Sequence, residues 1–339
     1  MAGDGNISFK NELLDRNEVI SRIENGDYMV IAADESQLAS LPSGNWIAGS
    51  IPYFMTHEGG SVNREHMYVN TIDGVGGSLQ PRITLYDAKS ISRVAQEAPD
   101  HGFTILILPA SSEVHLSYAQ GAPDFPNMFF SPIVGWISGV HLDQLGSQSA
   151  KIGFGPAAGM LSDSQAVAMH VPLSEQQAAN IQIINLFKQG DGPAIRFNES
   201  GFSASECEVG GTAWNLADYV REHKIDTRLP LVADYSGVMV NVSIQEVLDK
   251  QVNLYAPVFK EVEYHFAAPI SDYVSEFNTA LSATSDGDKA AFSCNCILNF
   301  LYSELEGKKT GHFTGPITFG EVAYQLLNQT MVYLTLESV

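Results

Sequence analysis

Two cysteines stand two residues apart in Ser293-Cys294-Asn295-Cys296, just ahead of a run with helical spacing. A thiol in the first turn of a helix gains from the helix dipole, which favours thiolate. Cys294 and Cys296 could therefore serve as a nucleophile, a redox sensor or soft-metal ligands. They could equally be two small core residues, since cysteine is among the most buried residue types. A closed structural zinc site needs four ligands, so this pair would have to recruit Cys207 and a histidine. Further on, Glu321 follows Gly320 in an apolar setting, where a carboxylate can cap backbone donors or face a ligand. His312 sits in the Gly311–Gly315 loop and reads as a solvated loop residue before it reads as a ligand. His57, His66, His115 and His141 are scattered. No His-Glu-x-x-His pair and no Gly-x-Ser-x-Gly elbow occurs, which disfavours those two hydrolase classes. Gly74–Leu79 has the glycines of a phosphate loop but no lysine at the required spacing, so it reads as a turn.

The rest of the chain must position these groups. Tyr28–Ala33, Met67–Ile72 and Phe103–Leu108 read as strands, the last as a fully buried one. Helical spacing is seen in 11–25, 90–98 and 111–118. It recurs in 174–189, where Ser174 and Gln177 suggest a capping box. In the second part, 213–223 and 270–281 read as helices, and 243–250 as a helix or 3₁₀ segment. Tyr235-Ser236-Gly237 reads as a turn between two strands. Trp46-Ile47-Ala48-Gly49 is echoed by Trp136-Ile137-Ser138-Gly139. Each is followed by a glycine-containing loop and a strand-like run, and Ile317-Thr318-Phe319-Gly320 repeats the outline before 330–336. This suggests duplication of a strand–glycine–strand unit.

The segment 291–336 resembles the C-terminal part of the FIST domain family. The resemblance rests on Ser293-Cys294, the helix that follows it, Gly315-Pro316-Ile317-Thr318-Phe319-Gly320-Glu321, and the apolar closing run with Asn328 and Thr330. A weaker counterpart covers 103–171. Cys-Asn-Cys departs from the family pattern, where small and basic residues are commoner. The resemblance implies intracellular ligand sensing, some members being linked to haem or amino-acid-like ligands. It comes without the kinase or cyclase output modules usual in that family, leaving a protein output partner to be supplied separately.

Bulk properties bound the function. The net charge of −21, from 18 basic and 39 acidic residues, repels nucleic-acid phosphates and anionic lipid. No apolar run is long enough to span a membrane, and the N-terminus lacks a secretory pattern. An odd count of three cysteines fits a reducing cytoplasm. The expectation is an α/β or α+β fold of two related mixed-sheet halves with flanking helices, 1–190 and 191–339, meeting near Gly190-Asp191-Gly192-Pro193. A small-molecule ligand would bind between the halves, with Cys294, Asn295, Cys296, Gly320 and Glu321 facing it and Trp46 and Trp136 as walls. The cofactor is unknown, and whether a reaction is catalysed stays open. Thiol-dependent catalysis at Cys294 or Cys296, and a haem or metal sensor, are the alternatives.

Overall fold

The computed structural model describes residues 6–235, 238–284 and 289–339. Its fold is α+β: mixed sheets with few helices between them. The glycine echo marks a unit that occurs three times. In the first, Tyr28–Ala33 runs parallel to Trp46–Ser50 and antiparallel, on its other side, to Met67–Asp73, which pairs with Ser8–Leu14. In the second, Gly102–Pro109 runs parallel to Ile133–Ser138 and antiparallel to Ala166–Pro172, which pairs with Arg82–Tyr86. In the third, Ala290–Cys296 runs parallel to Gly315–Thr318 and antiparallel to Met331–Ser338, which pairs with Gln177–Ile184.

Each unit also lends a hairpin to another. After Ser50 the chain forms Tyr53–Thr56 and Gly59–Val62, which extend the third sheet beside Gly315–Thr318. After Ser138 it forms Ile152–Phe154 and Leu161–Ser162, which extend the first sheet. After Thr318 it forms Glu321–Ala323 and Gln325–Leu327, which extend the second. The exchange is cyclic, so no unit can complete its own sheet. Strands of all three units share one apolar core through their inner faces, with Val30, Ile47, Ile105, Ile107, Phe292 and Ile317 among its residues.

Local composition explains why these strands hold. Gly102–Pro109 is apolar throughout because both its faces are covered: Phe103, Ile105 and Ile107 enter the shared core, while Leu106 and Leu108 pack outward. Gly135 is required by close approach, since a Cβ there would lie 1.8 Å from the Leu106 carbonyl oxygen.

The change of character expected near residue 190 is a change of sheets. From Ile195–Phe197 to Glu263–Phe266 the chain builds a second lobe, comprising a six-stranded sheet, a three-stranded sheet and the helix Leu216–Glu222. It then passes through the helix Tyr273–Ala283 and rejoins the first lobe at Ala290. The strands Leu231–Tyr235 and Val238–Val242 pair as expected; Ser236 and Gly237 of their turn lie outside the described residues.

Three local expectations are corrected. The stretch 174–189 is not a helix: Gln177–Ile184 is an edge strand, paired with Met331–Ser338 over eight positions. Its helical spacing loses to the unpaired edge that the closing strand offers. Gln177 caps nothing; its side chain clamps Ile7, accepting from the backbone N–H at 2.6 Å and donating to the carbonyl at 2.9 Å. Within 243–250 the ordered element is the strand Ile244–Val247. The helix expected over 11–25 begins only at Arg16, capped by Asp15 with Glu18 closing a capping box, because Ser8–Leu14 is taken as a strand.

Candidate functional site

Cys294 and Cys296 project from Ala290–Cys296 into the shared core, each 1% exposed. The Cys294 thiol donates to the Gly135 carbonyl at 3.2 Å. Cys296 stands at the N-terminus of the helix Ile297–Tyr302, as the spacing predicts, but burial pushes both thiols well above their ordinary range. The dipole of a six-residue helix does not outweigh that loss of solvent. Asn295, on the opposite face of the strand, accepts from Asn299 Nδ2 at 2.9 Å.

Glu321 is fully buried. Thr330 Oγ1 donates to its Oε2 at 2.7 Å, while Oε1 has no hydrogen-bond partner. Burial raises its carboxyl well above the ordinary value of 4.5, and Thr330 opposes that shift only in part. Gly320 contributes backbone: its carbonyl accepts from Ile137 N–H at 2.8 Å, joining the second and third units.

The two tryptophans part company. Trp136 is the register partner of Glu321, faces the shared core and stacks on Phe292 with centroids 5.8 Å apart. Trp46 faces the other way, into a separate cluster around Val19, Ile23 and Leu38, and donates to the Pro42 carbonyl. The letters of the Trp-Ile-x-Gly echo thus align one residue out of step with the fold, and one residue reverses a strand's face. Cys294, Cys296, Glu321 and Trp136 share the inner core, whereas Trp46 does not.

None of the seven lines a cavity of ligand size. Cys294 and Asn295 border a fissure of about 10 Å³. The large concavity is a cleft of about 1020 Å³ between the lobes. It opens at the carboxyl ends of two parallel pairs. Ala110–Ser112 and Val140 follow the strands of the second unit, and Ile297 and Phe319 follow those of the third. Ile297 is next to Cys296 and Phe319 is next to Gly320, so the predicted positions lie one residue behind its wall. The far wall comes from the second lobe, with Phe202, Asn253, Leu254 and Tyr255, and the rim from 145–150.

One end of the cleft is the start of the helix Glu113–Gly121, capped by Ser112, whose Oγ accepts from His115 N–H at 3.1 Å. His115 is buried against Phe202, with centroids 5.2 Å apart. Burial pushes the imidazole down to about 4. Its Nδ1 accepts from Ser111 N–H at 3.2 Å, and its Nε2 has no partner. Ser111 and Ser112 are not among the positions the sequence singles out, and His115 is there only one of four scattered histidines. Their signal was positional: Ala110-Ser111-Ser112 joins the most buried strand to a helix, the place where α/β sheets collect ligands.

The match to a family model spans both lobes. The chain belongs to the family of unknown function DUF6976. The matched region is 14–337, which takes in the second lobe, both walls of the cleft and the three units apart from the strand Ser8–Leu14 and the last residue of Met331–Ser338. No curated protein matches the chain. Among the described residues no helix is long and apolar enough to cross a membrane, and no group of three or more His, Cys, Asp or Glu side chains is placed to hold a metal ion.

Proposed function

We propose that this chain is a small-molecule-binding protein of sensory or regulatory type, with its ligand held in the cleft between the lobes. The observation that carries this reading is the cleft itself: about 1020 Å³, at the carboxyl ends of two parallel strand pairs, walled by apolar and polar side chains in comparable measure. Two lobes joined by the crossings near 185–195 and 267–290 supply a natural means of reporting occupancy to a protein partner. The FIST resemblance of 291–336 supports the sensory part, and the three unpaired thiols suit a reducing cytoplasm.

Thiol-dependent catalysis is the weaker reading. It requires an accessible thiolate, and Cys294 and Cys296 are buried with raised thiol pKa values. A metal or haem sensor would have to work with fewer than three clustered His, Cys, Asp or Glu ligands among the described residues.

A thermal-shift screen of metabolites tests the proposal, because a ligand that binds only the folded state raises the melting temperature. A metabolite is expected to stabilise the native chain and to lose that effect in Ser149→Trp, which places an indole at the rim. Stabilisation that survives Ser149→Trp would move the site elsewhere. The absence of any stabilising metabolite would overturn the reading.

A further inference from the structure

The edge strand Gln177–Ile184 pairs on one side only, with Met331–Ser338. Val339 N–H donates to the Gln176 carbonyl at 2.9 Å, which fixes the phase of that ladder. Counting on in twos, Ala178, Asn180 and Gln182 bond to the closing strand. Ala179, Ile181 and Ile183 turn their N–H and C=O groups to the open side. The groups of Gln177 on that side are already used: its N–H donates to the Ser174 carbonyl, and its carbonyl accepts from His101 Nε2 at 2.8 Å. Among the described residues nothing bonds to the groups of Ala179, Ile181 and Ile183 on the open side.

Exposed edges are ordinarily blunted by charge, proline or a bulge. This one has none of them. Residues 176–187 carry no charge and no proline, in a chain of net charge −21, and the register with Met331–Ser338 is unbroken. Its core face is also left unfinished. Ile183 is the register partner of Val332, which is fully buried, yet Ile183 is 37% exposed. A strand added at the edge would cover it. Charge selects which strand. The field of the chain repels a second copy everywhere except along a neutral stretch such as this one. Glu175 flanks one end of it and Lys188 the other, both exposed, so antiparallel pairing turns the acidic end of one copy towards the basic end of the other.

We propose that two copies of this chain pair antiparallel through Gln177–Ile184, about a two-fold axis at Ile181. In this register Ile181 meets Ile181, and Ala179 of each copy meets Ile183 of the other. Each of these pairs exchanges two backbone hydrogen bonds, so every open group of the three residues is satisfied. The side chains are self-complementary as well. On the core face the small Ala179 lies opposite Ile183, and on the outer face the exposed Asn180 lies opposite the exposed Gln182. The pairing is independent of any ligand in the cleft. A strand this short buries less than the ~800 Å² per partner of a standard interface, so the dimer is expected to be reversible.

Sedimentation velocity of the full chain between about 5 and about 500 μM tests the association, with amide hydrogen exchange measured at both ends of that range. The sedimentation coefficient should rise towards that of a dimer. Exchange at Ala179, Ile181 and Ile183 should slow several-fold with concentration, while Asn180 and Gln182, bonded to the closing strand in either state, should not change. Ile183→Lys places a charge on the edge and should weaken dimerisation at least about tenfold. Ala179→Pro removes an N–H that faces solvent in the monomer, a position where an edge strand tolerates proline, and should weaken it as much. If Ile183→Lys fails to fold, Ala179→Pro and the exchange of the native chain decide. A chain that stays monomeric throughout would overturn the proposal and leave the edge to an extended segment of a different protein. A dimer that forms without slowing exchange at the three residues, or that persists unchanged in either folded variant, would overturn it by placing the interface elsewhere.

Discussion

The inner core and the inter-lobe cleft divide between them what the sequence presents as one feature. The core holds the residues with the most reactive side chains, Cys294, Cys296 and Glu321, and it silences them. Each is shut away from solvent, and burial shifts each towards its protonated form. The cleft is lined by serines, glutamines, an asparagine, Glu113, Asp163 and apolar side chains, ordinary as letters, with His115 mostly buried at its edge. The two regions are one residue apart at Cys296–Ile297 and again at Phe319–Gly320. Both junctions lie where a strand has ended: Ile297 opens the helix Ile297–Tyr302 and Phe319 follows Gly315–Thr318, so the chain passes from the core to the edge of the cleft within one residue.

The comparison breaks most readily at the core. Gly135→Ala drives a methyl into the Leu106 carbonyl and disturbs the acceptor of the Cys294 thiol. It should cost about 3 kcal/mol, the upper end of ordinary overpacking, read from urea unfolding. A loss below about 0.5 kcal/mol would mean that the core is looser than its geometry implies.

Glu321 gives a smaller effect with a defined sign. The folded chain keeps this proton at pH values where the unfolded chain has released it. The stability it contributes is therefore fully present below the ordinary carboxyl value of 4.5 and falls as pH rises towards the raised folded-state value. Glu321→Gln cannot titrate, so its melting temperature relative to the native chain should climb as pH rises above 4.5. A melting temperature of Glu321→Gln that falls relative to the native chain as pH rises would mean that the carboxylate is ionised and paired.

The thiols should be inert in the folded state. At pH 8, iodoacetamide is expected to leave Cys294 and Cys296 unlabelled in native protein and to modify both in denaturant. Labelling of either in the native state, at a rate near that of a free thiol, would restore thiol chemistry to the site. The smallest effect on stability belongs to the cleft: Ser149→Trp, at an exposed rim position, should change stability by no more than about 0.5 kcal/mol.

Much of the architecture could be read from the sequence because it is locally encoded. The run Phe103–Leu108 announces a strand buried on both faces. The echo at Gly49, Gly139 and Gly320 marks a unit that recurs three times, although the tryptophans of the first two copies face opposite ways. The expected helix over 174–189 failed because Ile181, Ile184 and Leu186 satisfy helical spacing on their own. What makes Gln177–Ile184 a strand is the edge of Met331–Ser338, some 150 residues away in the chain. The cleft is further still from local encoding. Its walls come from 110–120, 140–150, 200–202, 253–255, Ile297 and Phe319, brought together only by the cyclic exchange of hairpins and the docking of the second lobe. Reactive residue types drew attention to the third unit. Position at the carboxyl ends of parallel strands was the more informative signal, and it pointed to Ser111, Ser112 and His115.

The most direct test of the central claim is mass spectrometry of small molecules released by denaturing the purified native chain and, in parallel, Ser149→Trp. A compound of bounded size recovered in stoichiometric amount from the native chain and lost from Ser149→Trp is the predicted result. Equal recovery of that compound from both proteins would contradict the placement of the ligand in the cleft.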